Sequence, residues 1–157
     1  MGWTDESLII PRLQVRSDAE AIAILGQLLH QKGYVRDTFV AAVLEREKTF
    51  ATGLPTPEIQ VAIPHADVEH VIRPAIAIGV LDEPVEFGEM GEPDSRLPVK
   101  IVFMLAVTQS EALVSLLKSL VEMLQNTDLL RRVIVAGAAE VADMVNRQLP
   151  YFDSTEV

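Results

Sequence analysis

Cysteine is absent from the 157-residue sequence, and histidine occurs only three times. The absence of cysteine excludes disulfide bonds, thiolate metal sites and catalysis by a cysteine nucleophile. It is compatible with a reducing compartment such as the cytoplasm. Imidazole chemistry is restricted to His30, His65 and His70.

Basic charge is also scarce, with 13 basic against 23 acidic residues and a net charge of −10. A nucleic-acid-binding protein needs a basic patch to displace counterions from phosphates, so this class is disfavoured. An acidic surface is compatible with a basic protein partner.

Long apolar runs and standard nucleotide motifs are missing as well. The most apolar run, IVFMLAV at 101–107, is far too short to span a bilayer, and the N-terminus does not resemble a secretory signal. No G-x-x-x-x-G-K-[ST], G-x-G-x-x-G or G-x-S-x-G sequence is present. We therefore expect a soluble, cytoplasmic protein without a nucleotide cofactor and without the nucleophile elbow of a serine hydrolase.

The sequence that is present has the composition of a globular protein, with 49% hydrophobic residues, and its length predicts one domain over residues 1–157. Apolar runs and helical periodicity predict helices that alternate with and flank buried strands, which indicates an α/β sandwich. The predicted strands are 59–63, 75–81, 84–87 and 99–107, the predicted loops are 51–58 and 88–98, and the predicted helices begin after Ser17, after Asp37, at Glu111, after Asp128 and at Ala138, with Ser17, Asp37 and Asp128 as N-caps.

His65 follows Ile63-Pro64 at the predicted end of a buried strand. It is either a polar residue that only ends the strand or a reactive imidazole. Pro64 stiffens the backbone that carries it, and ligand chemistry in α/β sheets collects just beyond strand ends. A neutral imidazole held by an acceptor on its other nitrogen is a usable nucleophile near pH 7.

Other candidates lie near His65 in the sequence. His65 and His70, with acids between them, suggest a metal-dependent enzyme as an alternative, although the spacing matches no specific ligand pattern. Arg46 is either a solvated charge at a helix end or a clamp for an anion, and Thr52 and Gly53 are either turn residues or neighbours of that anion. His30, near the end of the first helix, is expected to be structural.

The segment 45–87 resembles the core of phosphotransferase-system enzyme IIA domains of the fructose–mannitol superfamily. It carries their R-E, T-G and (I/V)-P-H pattern at Arg46-Glu47, Thr52-Gly53 and Ile63-Pro64-His65. The sequence GLPTPEIQVAIPHADVEHV, followed by FGEMGEPDSRLPVKIVFMLAV, looks most like the galactitol-type branch. The similarity extends over nearly the whole chain.

The resemblance implies a mixed central sheet flanked by helices and a phosphocarrier function without a cofactor. In this family the histidine after Ile-Pro accepts a phosphoryl group from the carrier HPr and passes it to a cysteine of enzyme IIB, which phosphorylates a sugar that enters through the membrane enzyme IIC. His65 matches that acceptor, Arg46 the arginine near it, and Thr52 and Gly53 the family's Thr-Gly. Through these partners the protein would also lie at the inner face of the membrane. Regulatory proteins with IIA-like domains are the alternative within the family.

One position departs from the family pattern. Many fructose- and mannitol-type members have a second active-site histidine early in the helix after the strand that ends in LAV, and here Leu113 lies near that place. His70 matches a histidine of galactitol-type sequences. Either His70 supplies the supporting imidazole or the site works without one.

Overall fold

The computed structural model describes residues 2–149, so Met1 and residues 150–157 of the predicted domain lie outside the described residues. The prediction of one domain over 1–157 stays a prediction. The elements follow one another as β1 Ile9–Leu13, α1 Asp18–Gln31, α2 Phe39–Thr49, β2 Gly53–Leu54, β3 Gln60–Ala62, β4 Ala75–Glu89, β5 Glu92–Ala106, α3 Ser110–Met123, α4 Thr127–Val135 and α5 Ala138–Gln148, with short 3-10 turns at Glu6–Leu8 and Val68–His70.

The strands form one mixed sheet in the order β1-β4-β2-β3-β5, in which β4 also pairs with β5. The β1–β4, β2–β4 and β3–β5 pairs are parallel, whereas β2–β3 and β4–β5 are antiparallel. This topology confirms the expected α/β fold with a mixed central sheet.

Apolar side chains of β4 and β5 are buried on both faces of the sheet, as predicted. One set, which includes Ile76, Ile78 and Phe103, packs against residues of α3, α4 and α5. The alternate set, which includes Ala77 and Met104, packs against α1 and α2. Successive strand residues point to opposite faces, so two layers of helices enclose the sheet.

The prediction of a polar loop at 88–98 is wrong. Most of this segment belongs to a hairpin, in which β4 and β5 pair from Ala75↔Ala106 to Glu89↔Glu92. Gly91 takes a φ of +84° in the tight turn, a conformation open to glycine. Residues 84–87 are likewise part of β4 and not a separate edge strand. The polar composition indicated a loop, but exposed residues of a paired strand are polar too.

Two strands were not predicted. Gly53–Leu54 lies in the predicted loop 51–58, yet it pairs with β3 and β4. β1 carries Pro11 and has an irregular register between Ile10 and Leu13, where Arg12 adopts a φ of +55°. Such short or interrupted segments lack the period-two pattern by which strands are recognised.

Helix starts were predicted only in part. The Ser17 side chain accepts a hydrogen bond from the Glu20 backbone N–H, which confirms Ser17 as the N-cap of α1. The predicted caps Asp37 and Asp128 are wrong, because α2 begins after Thr38 and Asn126 caps α4 through the Leu129 N–H. Asp and Asn are about equally good caps, so composition alone does not choose between neighbouring candidates.

Within residues 2–149, none of the helices is both long enough and apolar enough to cross a membrane.

Candidate functional site

His65 lies where the chain leaves β3 and runs beside β5. It forms an isolated parallel bridge with Leu105, whose N–H donates to the Pro64 carbonyl at 3.0 Å. On the other side, the Ile63 N–H donates to the Thr52 carbonyl at 3.2 Å. Only 6% of His65 is exposed. Backbone hydrogen bonds from two neighbouring segments thus fix the peptide that carries the imidazole.

The orientation of the His65 ring follows from one hydrogen bond. Its Nδ1 lies 2.9 Å from the Ile63 carbonyl oxygen. A carbonyl oxygen only accepts, so Nδ1 carries the proton and the neutral ring has its lone pair on Nε2. Burial lowers the pKa of His65, as does the positive charge of Arg46, while the Ile63 hydrogen bond and Asp67 act in the opposite direction. The ring is therefore neutral near pH 7.

Arg46, in the last turn of α2, lines an open hollow of about 420 Å³ beside the His65 segment. We call this space the Arg46 hollow. Its guanidinium carbon lies 5.1 Å from the centroid of the Phe50 ring, which is 62% exposed. The hollow is lined by Ala42, Glu45, Arg46, Thr49, Phe50, Ala66, Asp67 and His70.

His70 enters the same hollow from the 3-10 turn Val68–His70. Its Nδ1 lies 2.8 Å from the Thr38 hydroxyl, just before α2, and its Nε2 lies 4.0 Å from a carboxylate oxygen of the exposed Glu69. Asp67 also lines the hollow. The structure thus brings Arg46 and His70 together around the two residues that follow His65, although Arg46 and His70 come from distant parts of the chain.

Thr52 and Gly53 are placed on the inner side of this region and do not line the Arg46 hollow. Thr52 is only 2% exposed, and its backbone N–H and hydroxyl each donate to one carboxylate oxygen of Glu47, both at 2.7 Å. A Cβ on Gly53 would lie 2.5 Å from the Gly88 carbonyl oxygen. Only glycine therefore allows β2 to approach β4 this closely.

Glu47 was not singled out from the sequence, although the R-E element of the family pattern contained it. It is the buried carboxylate beside a second hollow of about 360 Å³, the Glu47 hollow, lined by Asp18, Ala19, Ile22, Leu44, Glu47, Lys48, Ala51, Gly88 and Arg96. Burial raises the pKa of Glu47 to about 7, with a smaller contribution from Asp18 in the same direction. The Thr52 hydrogen bonds and Arg46 lower it.

The remaining candidates lie elsewhere. His30 is exposed in the last turn of α1. Leu113 is half-buried near the start of α3 and packs against the apolar core on that face of the sheet. Between residues 2 and 149, no cluster of three or more His, Asp or Glu side chains is arranged to hold a metal ion, so the geometry gives the metal hypothesis no support.

The chain is similar to known proteins in family, in sequence and in structure. The family described as "Phosphoenolpyruvate-dependent sugar phosphotransferase system, EIIA 2" matches residues 3–148. The galactitol-specific EIIA component of the Escherichia coli phosphotransferase system is 27% identical over 138 residues, which are 88% of this chain and 90% of that protein. The mannitol-specific enzyme IIA component of Bacillus subtilis is 31% identical over 129 residues, covering 80% and 83% of the two chains.

A solved structure agrees with these sequence relatives. It is the complex of E. coli mannitol enzyme IIA with phosphorylated enzyme IIB, determined by NMR. The matching chain superposes with a TM-score of 0.72 at 27% identity and covers 88% of this chain and 94% of its own length.

Proposed function

Because the chain belongs to the phosphoenolpyruvate-dependent sugar phosphotransferase system EIIA 2 family, whose members are phosphotransferases that carry a phosphoryl group in sugar uptake, we propose that His65 is its phosphoryl acceptor. The donor is the phosphohistidine of HPr, and the recipient is a cysteine of a cognate enzyme IIB. The observation that carries the assignment is the buried Nδ1–H of His65 on the Ile63 carbonyl, which leaves Nε2 as the nucleophile.

The transfer needs no further covalent partner. The Nε2 lone pair forms the new P–N bond in line, the P–N bond to HPr breaks, and its electron pair returns to the HPr imidazole. The His65 ring then has phosphorus on Nε2 and hydrogen on Nδ1, so it carries a positive charge that the Ile63 carbonyl stabilises. In the second step the thiolate of enzyme IIB forms a P–S bond, and the electron pair of the broken P–N bond returns to Nε2.

Arg46 and His70 support the group while it is transferred. Charge spreads over the three equatorial oxygens of the phosphoryl group, and a guanidinium pairs well with such oxygens. If the Thr38 hydroxyl donates to Nδ1 of His70, the proton of that ring lies on Nε2, where it is available to an oxyanion. In this assignment His70 is the supporting imidazole, while Thr52 and Gly53 hold the backbone behind His65.

The galactitol-specific relative favours galactitol or a similar polyol as the transported substrate. The partners are then HPr and a galactitol-type enzyme IIB, with the membrane enzyme IIC as an indirect partner and no nucleic acid. We place the protein in the cytoplasm, at the inner face of the membrane while it is bound to the transporter components.

The acceptor assignment is tested by incubating the protein with enzyme I, HPr and phosphoenolpyruvate and measuring acid-labile phosphate. We expect one phosphate per chain in the parent and in a His30→Ala control, and none in His65→Ala. Phosphorylation of His65→Ala to the level of the parent would refute the proposal.

The second transfer is tested with the phosphorylated protein and purified enzymes IIB. Galactitol-type enzyme IIB should receive the phosphate faster than mannitol-type enzyme IIB. Phosphorylation of His65 without transfer to either protein would instead support a regulatory role, in which the phosphorylated and free forms bind different proteins.

A further inference from the structure

Very few polar side chains are buried in the described part of the chain, and most of them are connected. The buried polar or charged residues are Thr4, Glu47, Thr52 and His65. Three of these four belong to one hydrogen-bonded path that ends at the candidate nucleophile. Glutamate is rarely buried without a specific partner, because the ionised group loses its hydration.

The path runs through three segments of the chain. The two carboxylate oxygens of Glu47 accept the backbone N–H and the hydroxyl of Thr52, each at 2.7 Å. The Thr52 carbonyl accepts the Ile63 N–H at 3.2 Å, and the Ile63 carbonyl accepts Nδ1–H of His65 at 2.9 Å. Each bond uses a different group of its residue, so displacement at Glu47 reaches the peptide that orients the imidazole.

We propose that Glu47 is a positioning residue for the phosphoryl acceptor: through Thr52 and Ile63 it holds His65 in the Nδ1–H tautomer that presents Nε2. This inference rests on the proposed function of His65. Glu47 faces away from the Arg46 hollow and contributes no contact to the phosphoryl group. It acts only through the backbone behind the nucleophile.

The contact requires a side chain at position 47 that can accept a hydrogen bond from the Thr52 N–H. Thr52 presents two donors side by side, and a carboxylate accepts both without a donor of its own. The arrangement also tolerates a neutral group, because the Thr52 hydroxyl can rotate and accept a hydrogen bond. Glutamine at position 47 therefore has partners for both of its polar atoms, whereas leucine leaves the Thr52 N–H without an acceptor.

A purely structural role for Glu47 predicts a different result from a positioning role. If the carboxylate only fastened the end of α2, its replacement would lower stability and leave the His65 tautomer unchanged. If it positions the acceptor, its replacement redistributes the ring proton between Nδ1 and Nε2 in protein that is still folded. The ring ¹⁵N chemical shifts of His65 separate these two results.

The experiment records ring ¹⁵N spectra of the full chain at pH 7.5 for the parent, Glu47→Gln, Glu47→Leu and the matched exposed control Glu140→Gln. Only three histidines contribute, and His30→Gln and His70→Gln assign them. We expect a single Nδ1–H tautomer of His65 in the parent, Glu47→Gln and Glu140→Gln, and a mixture of both tautomers in Glu47→Leu. Phosphorylation by phospho-HPr should be up to about 100-fold slower in Glu47→Leu, the order of cost of a small misplacement of a reacting group, and largely restored in Glu47→Gln.

An unchanged Nδ1–H tautomer in folded Glu47→Leu would overturn the inference. If that variant does not fold, Glu47→Met decides in its place, because its flexible side chain fits a similar space and also leaves the Thr52 N–H without an acceptor. A mixture of tautomers supports the inference, and a single Nδ1–H tautomer refutes it. Since the spectra require no phosphoryl donor, this result is independent of whether His65 is phosphorylated.

Discussion

The two sides of the last turn of α2 differ in exposure and in hydrogen bonding. On one side, Arg46 lines an open hollow, and its guanidinium is stacked on an exposed phenyl ring. On the other side, Glu47 is buried, and both of its oxygens accept hydrogen bonds from Thr52. Arg46 and Glu47, which are adjacent in sequence, thus differ in environment. Arg46 borders a solvent-open hollow, whereas Glu47 is buried and has fixed hydrogen-bond partners.

The contrast between Arg46 and Glu47 corresponds to two different requirements of phosphoryl transfer. A cation that stabilises a moving phosphoryl group must be able to bind it and release it, so its donors cannot be committed to fixed partners. The backbone that carries the nucleophilic imidazole, in contrast, must not move during transfer. One helix end can provide an uncommitted cation on one side and a rigid support for the nucleophile on the other, because consecutive residues point to different sides.

The largest effect is expected on the Arg46 side. Arg46→Met should slow phosphorylation of His65 by roughly 10²- to 10³-fold, the usual cost of removing one preorganised donor from a developing oxyanion. The phosphorylation rate of Arg46→Lys should lie between those of the parent and Arg46→Met, because lysine keeps the charge and loses the forked geometry. The measurement is a single-turnover rate with phospho-HPr. A rate within twofold of the parent for Arg46→Met would remove Arg46 from the site.

A smaller effect is expected on the Glu47 side, in stability against pH. The pKa of Glu47 is about 7 in the folded protein against 4.5 for the free side chain, so the folded state binds this proton more tightly. The free energy of unfolding should therefore fall as pH rises from about 4.5 to 7, by up to about 3 kcal/mol. Glu47→Gln has no such proton to lose.

Urea unfolding of the parent and Glu47→Gln between pH 5 and 8 measures this contribution as a difference. Taking the difference removes the opposite contribution of His65, whose lowered pKa makes the folded protein lose stability as pH falls below 6.5. Glu140→Gln provides the exposed control and should differ from the parent by a nearly constant amount. A difference between parent and Glu47→Gln that does not vary with pH would contradict the buried, proton-binding state of Glu47.

The smallest effect concerns His70, on the Arg46 side. His70→Ala should slow phosphorylation about tenfold, the low end for a hydrogen bond to a charged group in a partly exposed position. His70→Gln should recover part of the rate, because its amide can reach the position of Nε2. The same single-turnover assay applies. A parental rate in His70→Ala would mean that this site works without a supporting imidazole.

The sequence allowed the fold class and the position of His65 to be predicted, because buried strands and Ile-Pro-His leave local patterns. The tautomer of His65 could not be predicted, since it depends on the direction of the Ile63 carbonyl. Nor could the burial of Glu47, because the sequence EREK at the end of α2 has the composition of an exposed turn. Its burial depends on Thr52 returning beneath the helix, which is a tertiary contact.

The hairpin of β4 and β5 likewise shows that secondary structure which depends on contacts between distant residues is not predicted from local sequence. Residues 88–98 contain the turn and polar residues that normally indicate a loop, and only their pairing across Gly91 turns them into strand. Pairing between β4 and β5 satisfies the backbone N–H and C=O groups of these residues, and local composition does not reveal such pairing. Local sequence therefore predicted most of β4, as two separate strands, and the buried half of β5, and it missed the exposed half of β5.

The irregular strand β1 affects whether the edge of the sheet can pair with a strand of a second molecule. In the described part of the chain β1 pairs only with β4, so its other edge is a potential template for a strand from a second molecule. Pro11 offers no N–H to such a strand, and the left-handed backbone at Arg12 interrupts the extended geometry that it would need. The positive charge of Arg12 on the exposed edge adds to this protection. The irregularity that makes β1 hard to recognise thus also makes its open edge a poor partner for a strand of another molecule.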